Sequence, residues 1–345
     1  MDSLTSYNGE CYYPFWEDLM TTTVDPPTTT LPTARMRTWH RPSLWFAAAM
    51  GVATVLTVAA MLIDHRTLLG SPVWAKLFKF AVSAGLYYFT WSWLVSLLNG
   101  RLRKIASVAT TVSVVLFAGE YVAMAFQAAR ARPSHFANTS PFDATLFRIM
   151  GMMVAGLWLA TLVGTVLLMF TQIEDRAVYW AVRTGAVVAL IGAGLGVLMT
   201  GATPEQVATI KATGRSDLIG AHSVGVADGG PGLPLLGWST TGGDLRIAHF
   251  VGLHALQALP LLAFGLAVLA TRLPRLRESA VRVRLVWTGS AGYAGLVGLI
   301  LWQAERGEPL IHPSSTTLAA AGLLVGVIAV ATAASVLAPA RKVLR

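Results

Sequence analysis

Lys79, Glu120 and His254 each interrupt a long apolar stretch of this 345-residue chain. An ionisable group in hydrocarbon is expensive unless it faces a protein interior and finds a partner, so each is a candidate for binding or proton transfer. Other polar groups gather around them. Lys76 precedes Lys79 by one helical turn, Gln127 follows Glu120 by seven residues, and the run from Asp244 to Gln257 carries Arg246, His249 and His254. His135 and His222 lie in polar connections between apolar stretches.

Four kinds of chemistry fit these residue types. Neutral imidazole is the commonest metal ligand, so His249, His254 and His222, with His135 and Glu120 in reach, suggest a haem or transition-metal site. His249 and His254 are five apart, unlike the i, i+4 pair of the zinc-protease motif. They stand about 140° apart around a helix, so they share an ion only if the helix distorts or the ion lies between them. Arg148, Met150, Met152 and Met153 open one apolar block and add a Met/His copper option. In a second reading Lys76, Lys79, Arg246 and Arg148 form a cationic vestibule for a small anion, while Glu120 and His254 pass protons. In a third, Glu120 and a histidine serve as general acid and base of an intramembrane enzyme. No nucleophile elbow, HExxH, P-loop or GxGxxG stands in a supporting context, so no reaction class follows. The fourth reading is a non-catalytic assembly or sensor subunit, whose polar network only orders helices.

The elements that must position these residues are membrane spans. Hydrophobic residues make up 54% of the chain and charged residues 12%, against about a quarter charged in soluble domains. Mean hydropathy is +0.60. Eight apolar blocks, at approximately 43–63, 74–98, 105–128, 145–170, 177–200, 245–270, 283–303 and 315–338, are each long enough to cross ~30 Å of hydrocarbon. The seventh is interrupted by Gly289, Gly292, Gly295 and Gly298. The expected fold is all-α, a polytopic bundle of about eight spans. Residues 1–40, rich in Thr and Pro, read as a disordered cytoplasmic tail, and 41–345 as one transmembrane helical domain with a long outer loop at about 201–244. That loop opens with a short amphipathic helix from Pro204 to Lys211 and then turns Gly-rich, the composition of a lid or of a plain connector. The pairs Gly192/Gly196 and Gly322/Gly326 read as points of close helix packing.

Lys and Arg sort unevenly between alternate connections, 14 against 6. The richer side is cytoplasmic by the positive-inside rule, and an even span number puts both termini there. The net charge of +9 is therefore a topology signal, with no soluble basic domain to bind nucleic acid. The lone Cys11 excludes an internal disulfide or thiolate metal cage. High Ala, Gly, Val and Arg with scarce Lys suggests a bacterial source, hence the plasma membrane. The partners expected are the lipid bilayer and a small molecule or ion arriving from outside.

Depth follows from this orientation. Lys79, Glu120 and His254 lie roughly 9, 12 and 14 Å inside the outer ends of their spans. Lys76, Lys79, Ser83, Tyr87 and Thr90 form one stripe, Glu120 and Gln127 share a face, and Arg246, His249, His254 and Gln257 fall in a sector of roughly 140°. Three polar faces at one level point to a functional cavity in the outer half, with Glu120 paired to Lys79 or to a protonated histidine. The plainer reading of Lys76 and Lys79 is snorkelling to the interface.

Three stretches, Trp74 to Ser83, Gln127 to Asn138 and Gly243 to Gln257, resemble a family of uncharacterised bacterial multispanning integral membrane proteins. The resemblance implies a membrane-embedded helical fold and brings no activity, ligand or cofactor. The topology is directly testable: a periplasm-active reporter fused after Arg345 is expected to be inactive, and activity there would remove the arrangement with both ends inside.

Overall fold

The structure, a computed structural model, describes residues 38–339. The expected tail up to residue 37, Cys11, and the basic residues Arg35, Arg37, Arg341, Lys342 and Arg345 lie outside the described residues. Ten α-helices follow in order: α1 Arg41–Ile63, α2 Ala75–Ser96, α3 Gly100–Ala129, α4 Pro141–Leu168, α5 Arg176–Gly194, α6 Pro204–Thr213, α7 Leu245–Leu253, α8 Ala255–Leu269, α9 Ser279–Glu305 and α10 Ser315–Leu337. Two antiparallel pairs of two-residue strands sit in the connections, β1 (Thr67–Leu68) with β2 (Ser71–Pro72) and β3 (Ser223–Val224) with β4 (Gly243–Asp244). The fold is all-α, as expected.

Among the described residues six helices are long and apolar enough to cross a membrane, or seven when α7 and α8 count as one span bent by 46°. The expected second span, α2, forms a 22-residue helix. Its apolar character is diluted by Lys76, Lys79 and a run of Tyr, Trp, Ser and Thr, yet it packs against α1, α3 and α8. The glycine-interrupted seventh block is a continuous helix, α9. The sixth block, expected as one continuous stretch, is broken at His254, six residues before Pro260. Proline denies Leu256 its backbone donor and crowds the preceding turn, and Gly252 just upstream is a weak helix former. The carbonyl of Val251 takes a hydrogen bond from the Tyr293 hydroxyl at 2.6 Å instead.

The connections after α1, α3, α5 and α9 gather at one loop-rich end of the bundle, and those after α2, α4 and α8 at the other. At the second end, arginines finish helices whose last carbonyls lack intrahelical donors. Arg183 donates to the carbonyls of Leu168, Met169 and Thr171 at the end of α4. Arg275 and Arg284 do the same for Val336, Leu337 and Ala338 at the end of α10. Helix starts carry side-chain caps: Ser140 for α4, Asp175 for α5, a Thr203/Gln206 capping box for α6, and Asp244 for α7.

The main core joins the C-terminal half of α2 to α5, α8 and α9 through Trp91, Leu94, Val178, Ala181, Ala186, Leu256, Leu259 and Val281. Small residues on α5 and in the turn that follows it set the spacing to α7. A Cβ on Gly192 would lie 2.4 Å from the Gly252 backbone, and one on Gly196 would lie 3.1 Å from the His249 ring. Gly322 and Gly326 behave differently from expectation: a Cβ at either would meet nothing within 4 Å, so they make no close packing within this chain. Gly192→Leu is therefore expected to cost at least about 2 kcal/mol by overpacking, whereas Gly322→Leu leaves the thermal midpoint in detergent unchanged. Equal midpoints for the two variants would contradict the α5–α7 contact.

Candidate functional site

The loop-rich end is closed by residues 201–244, which are folded rather than slack. The expected amphipathic helix is α6, and Gln206 fastens it to Gly220, donating to its carbonyl and accepting from its N–H. Pairing of β3 with β4 draws the chain back to α7. Asp244 is the fastening point. It is fully buried and accepts from the backbone N–H of Ser239 at 2.8 Å and of Arg246 at 3.1 Å, while the Arg246 guanidinium holds both its oxygens at 2.9 and 2.5 Å. A carboxylate with this many donors is saturated, so Asp244 positions Arg246 and the loop.

Glu120 stands in the opposite condition. It is 2% exposed, and neither carboxylate oxygen accepts a hydrogen bond. His135 Nε2 lies 3.4 Å from Glu120 Oε1, within ion-pair range but outside hydrogen-bond geometry. On the other side of the ring, Lys76 Nζ lies 2.9 Å from His135 Nδ1 and donates to Ser134 Oγ at 2.9 Å. An ammonium has no lone pair, so Nδ1 accepts from Lys76 and the ring proton sits on Nε2, facing Glu120. The three residues form a line from lysine through imidazole to carboxylate. The lysine is Lys76 rather than Lys79, and it turns inward rather than snorkelling.

A second layer positions this line. Gln127, on the Glu120 face of α3, donates to Asp143 Oδ1 at 3.0 Å and to the Pro133 carbonyl at 3.2 Å, and accepts from Arg130 at 2.7 Å. Thr139 and Ser140 also donate to Asp143. These bonds fold the α3–α4 connection so that Ser134 and His135 point inward. Gln127 is thus a positioning residue and does not reach the candidate site as a ligand.

Two further histidines have settled tautomers. His222 Nδ1 lies 2.8 Å from Asp228 Oδ2, and Asp228 also accepts from the backbone N–H of His222 and Ser223. His249 Nδ1 lies 2.8 Å from the Gly192 carbonyl. With Nδ1–H donating in both, each Nε2 carries a lone pair. His222 packs on Phe136 at 4.8 Å between ring centroids, and Phe80, Phe136 and Phe147 surround His135 at 6.2–6.3 Å. His135 and His222 are deeply enclosed, yet each keeps 22% of its side-chain surface accessible.

Burial holds His135 well below the usual histidine range, and the charge of Lys76 and the proximity of His222 push it further down. Burial also lowers His222, against the raising effect of Asp228. Burial alone would raise Asp228, but its hydrogen bonds and the attraction of His222 win and hold it below the usual carboxylate range. Both rings are therefore neutral at neutral pH.

The remaining expected ligands go elsewhere. The break in the sixth span separates His249, turned to α5, from His254, which reaches Ser83 Oγ at 3.4 Å and Gln257 Oε1 at 3.3 Å. Gln257 donates to Thr90 Oγ1 at 3.1 Å. His254 and Gln257 thus tie α8 to the polar stripe of α2. Lys79 donates to the Leu236 carbonyl at 2.6 Å. Arg148 is exposed, and Met150 is buried in a cluster with Leu77 and Met124. Among the described residues no group of three or more His, Cys, Asp or Glu side chains converges on a metal position. Sequence reasoning did not single out Ser134 or Asp228, whose signals were adjacency to His135 and a six-residue offset from His222. It also passed over Arg183, a charge inside an apolar block.

The two depressed histidines set a pH dependence. Below about 6.5 the unfolded chain takes up protons that folded His135 and His222 refuse, so stability falls with pH by up to ~1.4 kcal/mol per unit for each ring. The thermal midpoint is expected to drop between neutral pH and pH about 5.5, and His135→Asn should flatten the slope. An unchanged slope in that variant would contradict a neutral buried ring. Comparison of the chain with known proteins finds no matching family, no matching curated protein and no matching solved structure.

Proposed function

We propose that this chain is an eight-span protein of the bacterial plasma membrane with both termini cytoplasmic, and that the outer half of its bundle holds a proton-exchanging site for a small polar ligand or ion. The observation that carries this reading is the buried Glu120 carboxylate with both oxygens free of hydrogen bonds, in line with His135 and Lys76. A structural carboxylate at such depth acquires donors, because an unsatisfied charge in low dielectric costs several kcal/mol. One left bare is a place where a proton, a water or a ligand goes.

In this reading Glu120 is the proton-carrying group. His135 delivers or removes the proton through Nε2, and Lys76 keeps the ring in the tautomer that allows it. A proton arriving on Glu120 cancels the charge that balances Lys76. Uptake of a proton is then electrically linked to the arrival of an anion or the departure of a cation, the coupling that intramembrane acid–base groups provide. The Nε2 lone pair of His222 supplies an acceptor for a ligand that carries a donor.

The test is a pH-difference infrared spectrum of the purified protein in lipid. Wild type is expected to show a protonated-carboxyl band that Glu120→Gln lacks. Glu120→Ala is expected to lose about 1–3 kcal/mol of stability by leaving Lys76 without its counter-charge. A carboxyl band that survives in the Gln variant would sink the assignment.

A further inference from the structure

Lys79 and Arg246 come from different helices, α2 and α7, and close on consecutive carbonyls of one turn. Lys79 Nζ donates to the Leu236 oxygen at 2.6 Å, and Arg246 Nη2 donates to the Gly237 oxygen at 2.6 Å. Among the described residues no carboxylate lies within ion-pair distance of Lys79. Arg246 gives Nε and Nη2 to Asp244, and Nη2 shares its donors between that carboxylate and the turn. Two cations held side by side on two neutral oxygens match the demand of a carboxylate or phosphate group, which offers two charged oxygens to the same donors. Charge-assisted bonds to such oxygens are shorter and roughly twice as strong as those to neutral acceptors.

The turn itself is held in a strained shape. Leu233 donates to the Trp238 carbonyl and Gly237 to the Leu233 carbonyl, both at 2.8 Å, bonds that loosen once the clasp on residues 233–238 is released. Leu235 and Gly237 both have φ near +60°, at +63° and +65°. For leucine that is a costly conformation, retained only where the surroundings impose it. Leu235 is exposed, and Lys79, which holds the turn, stands one helical turn along α2 from Lys76, the residue that meets His135.

We propose that Lys79 and Arg246 form an oxyanion site, closed in this structure by the chain's own 233–238 turn, and that a carboxylate- or phosphate-bearing ligand displaces the Leu236 and Gly237 carbonyls and opens the path to the Glu120 line. This rests on the outward-facing site proposed above and names its ligand class. The phosphate group of a lipid headgroup and a small phosphate from solution share this chemistry.

Hydrogen exchange on the full chain in phosphatidylcholine nanodiscs tests it, with inorganic phosphate or acetate as probe and chloride at equal ionic strength as control. Either oxyanion is expected to raise exchange of the Leu236 and Gly237 amides by about tenfold and to raise the thermal midpoint. Lys79→Gln should exchange fast without any anion and respond to none, while Lys79→Arg keeps the response. The same deprotection in nanodiscs containing phosphatidylglycerol, with no added anion, supports the site and assigns the oxyanion to lipid. Exchange at 233–238 that neither oxyanion nor anionic lipid alters, or a response that persists in Lys79→Gln, overturns it. Glu120→Gln leaves the clasp intact, so a carboxyl band that survives in this variant beside a retained phosphate response sinks the Glu120 reading alone, whereas loss of the band with no phosphate response sinks the clasp alone.

Discussion

A carboxylate inside an apolar bundle must either gather donors or exchange its charge, and much of this fold is arranged around one that has not gathered them. Glu120 sits on α3 with its charge unanswered by any hydrogen bond. To bring His135 within 3.4 Å of it, the chain after α3 reverses inward, and that reversal needs Gln127, Arg130 and Asp143 to tie down its backbone. To fix the imidazole, Lys76 leaves the interface and turns toward α3, carrying the start of α2 with it. The closing loop then shields the assembly, anchored where Asp244 collects donors from Ser239 and Arg246. Desolvation strengthens each of these interactions and raises the cost of leaving any of them incomplete.

Most of the architecture was legible because the membrane imposes it. Apolar block length predicted the helices, including the continuous α9 despite its four glycines, and the short helix of the long loop. Helical angles placed Lys76, Lys79, Ser83 and Thr90 on one face of α2, where each makes a polar contact. The same angular reasoning failed on the sixth block because it assumed one unbroken helix. With the break at His254, the sector holding Arg246, His249, His254 and Gln257 splits into three destinations: the loop, α5 and α2. Periodicity describes a helix only while its hydrogen-bond ladder continues.

Partnership was the part that spacing could not supply. Depth arguments grouped Glu120 with Lys79, whereas the partner is His135 from a connection, with Lys76 behind it. Loop residues have no periodic signal, and their position depends on capping and turn bonds formed only in the folded chain. Asp228 illustrates this. Its six-residue offset from His222 is no periodic signal, yet its carboxylate takes the ring N–H and two backbone N–H groups at once. The small-residue pairs divide for a similar reason. Gly192 meets Gly252, while Gly322 and Gly326 meet nothing in this chain, because spacing states what a helix face permits and not which face is covered.

The charged groups of the bundle fall into two populations. Asp143, Asp244, Arg183 and Arg282 have several good partners each, from side chains or helix-terminal carbonyls, and their charges are settled by the fold. Glu120, Lys76 and Lys79 are answered only by a distant ring, a neutral imidazole with a hydroxyl, and a backbone carbonyl. Each of those partners is weaker than the charge it serves, and each could be replaced by a proton or an oxyanion. A fold selected for stability alone has little reason to keep such groups, since apolar residues of similar size cost less to bury. The settled Asp143 and Asp244 stand at the loop-rich end and hold its connections in place. Glu120, Lys76 and Lys79 lie at the same end, on α2 and α3. That clustering, more than the presence of any one residue, is what supports the proposal of charge exchange at the loop-rich end.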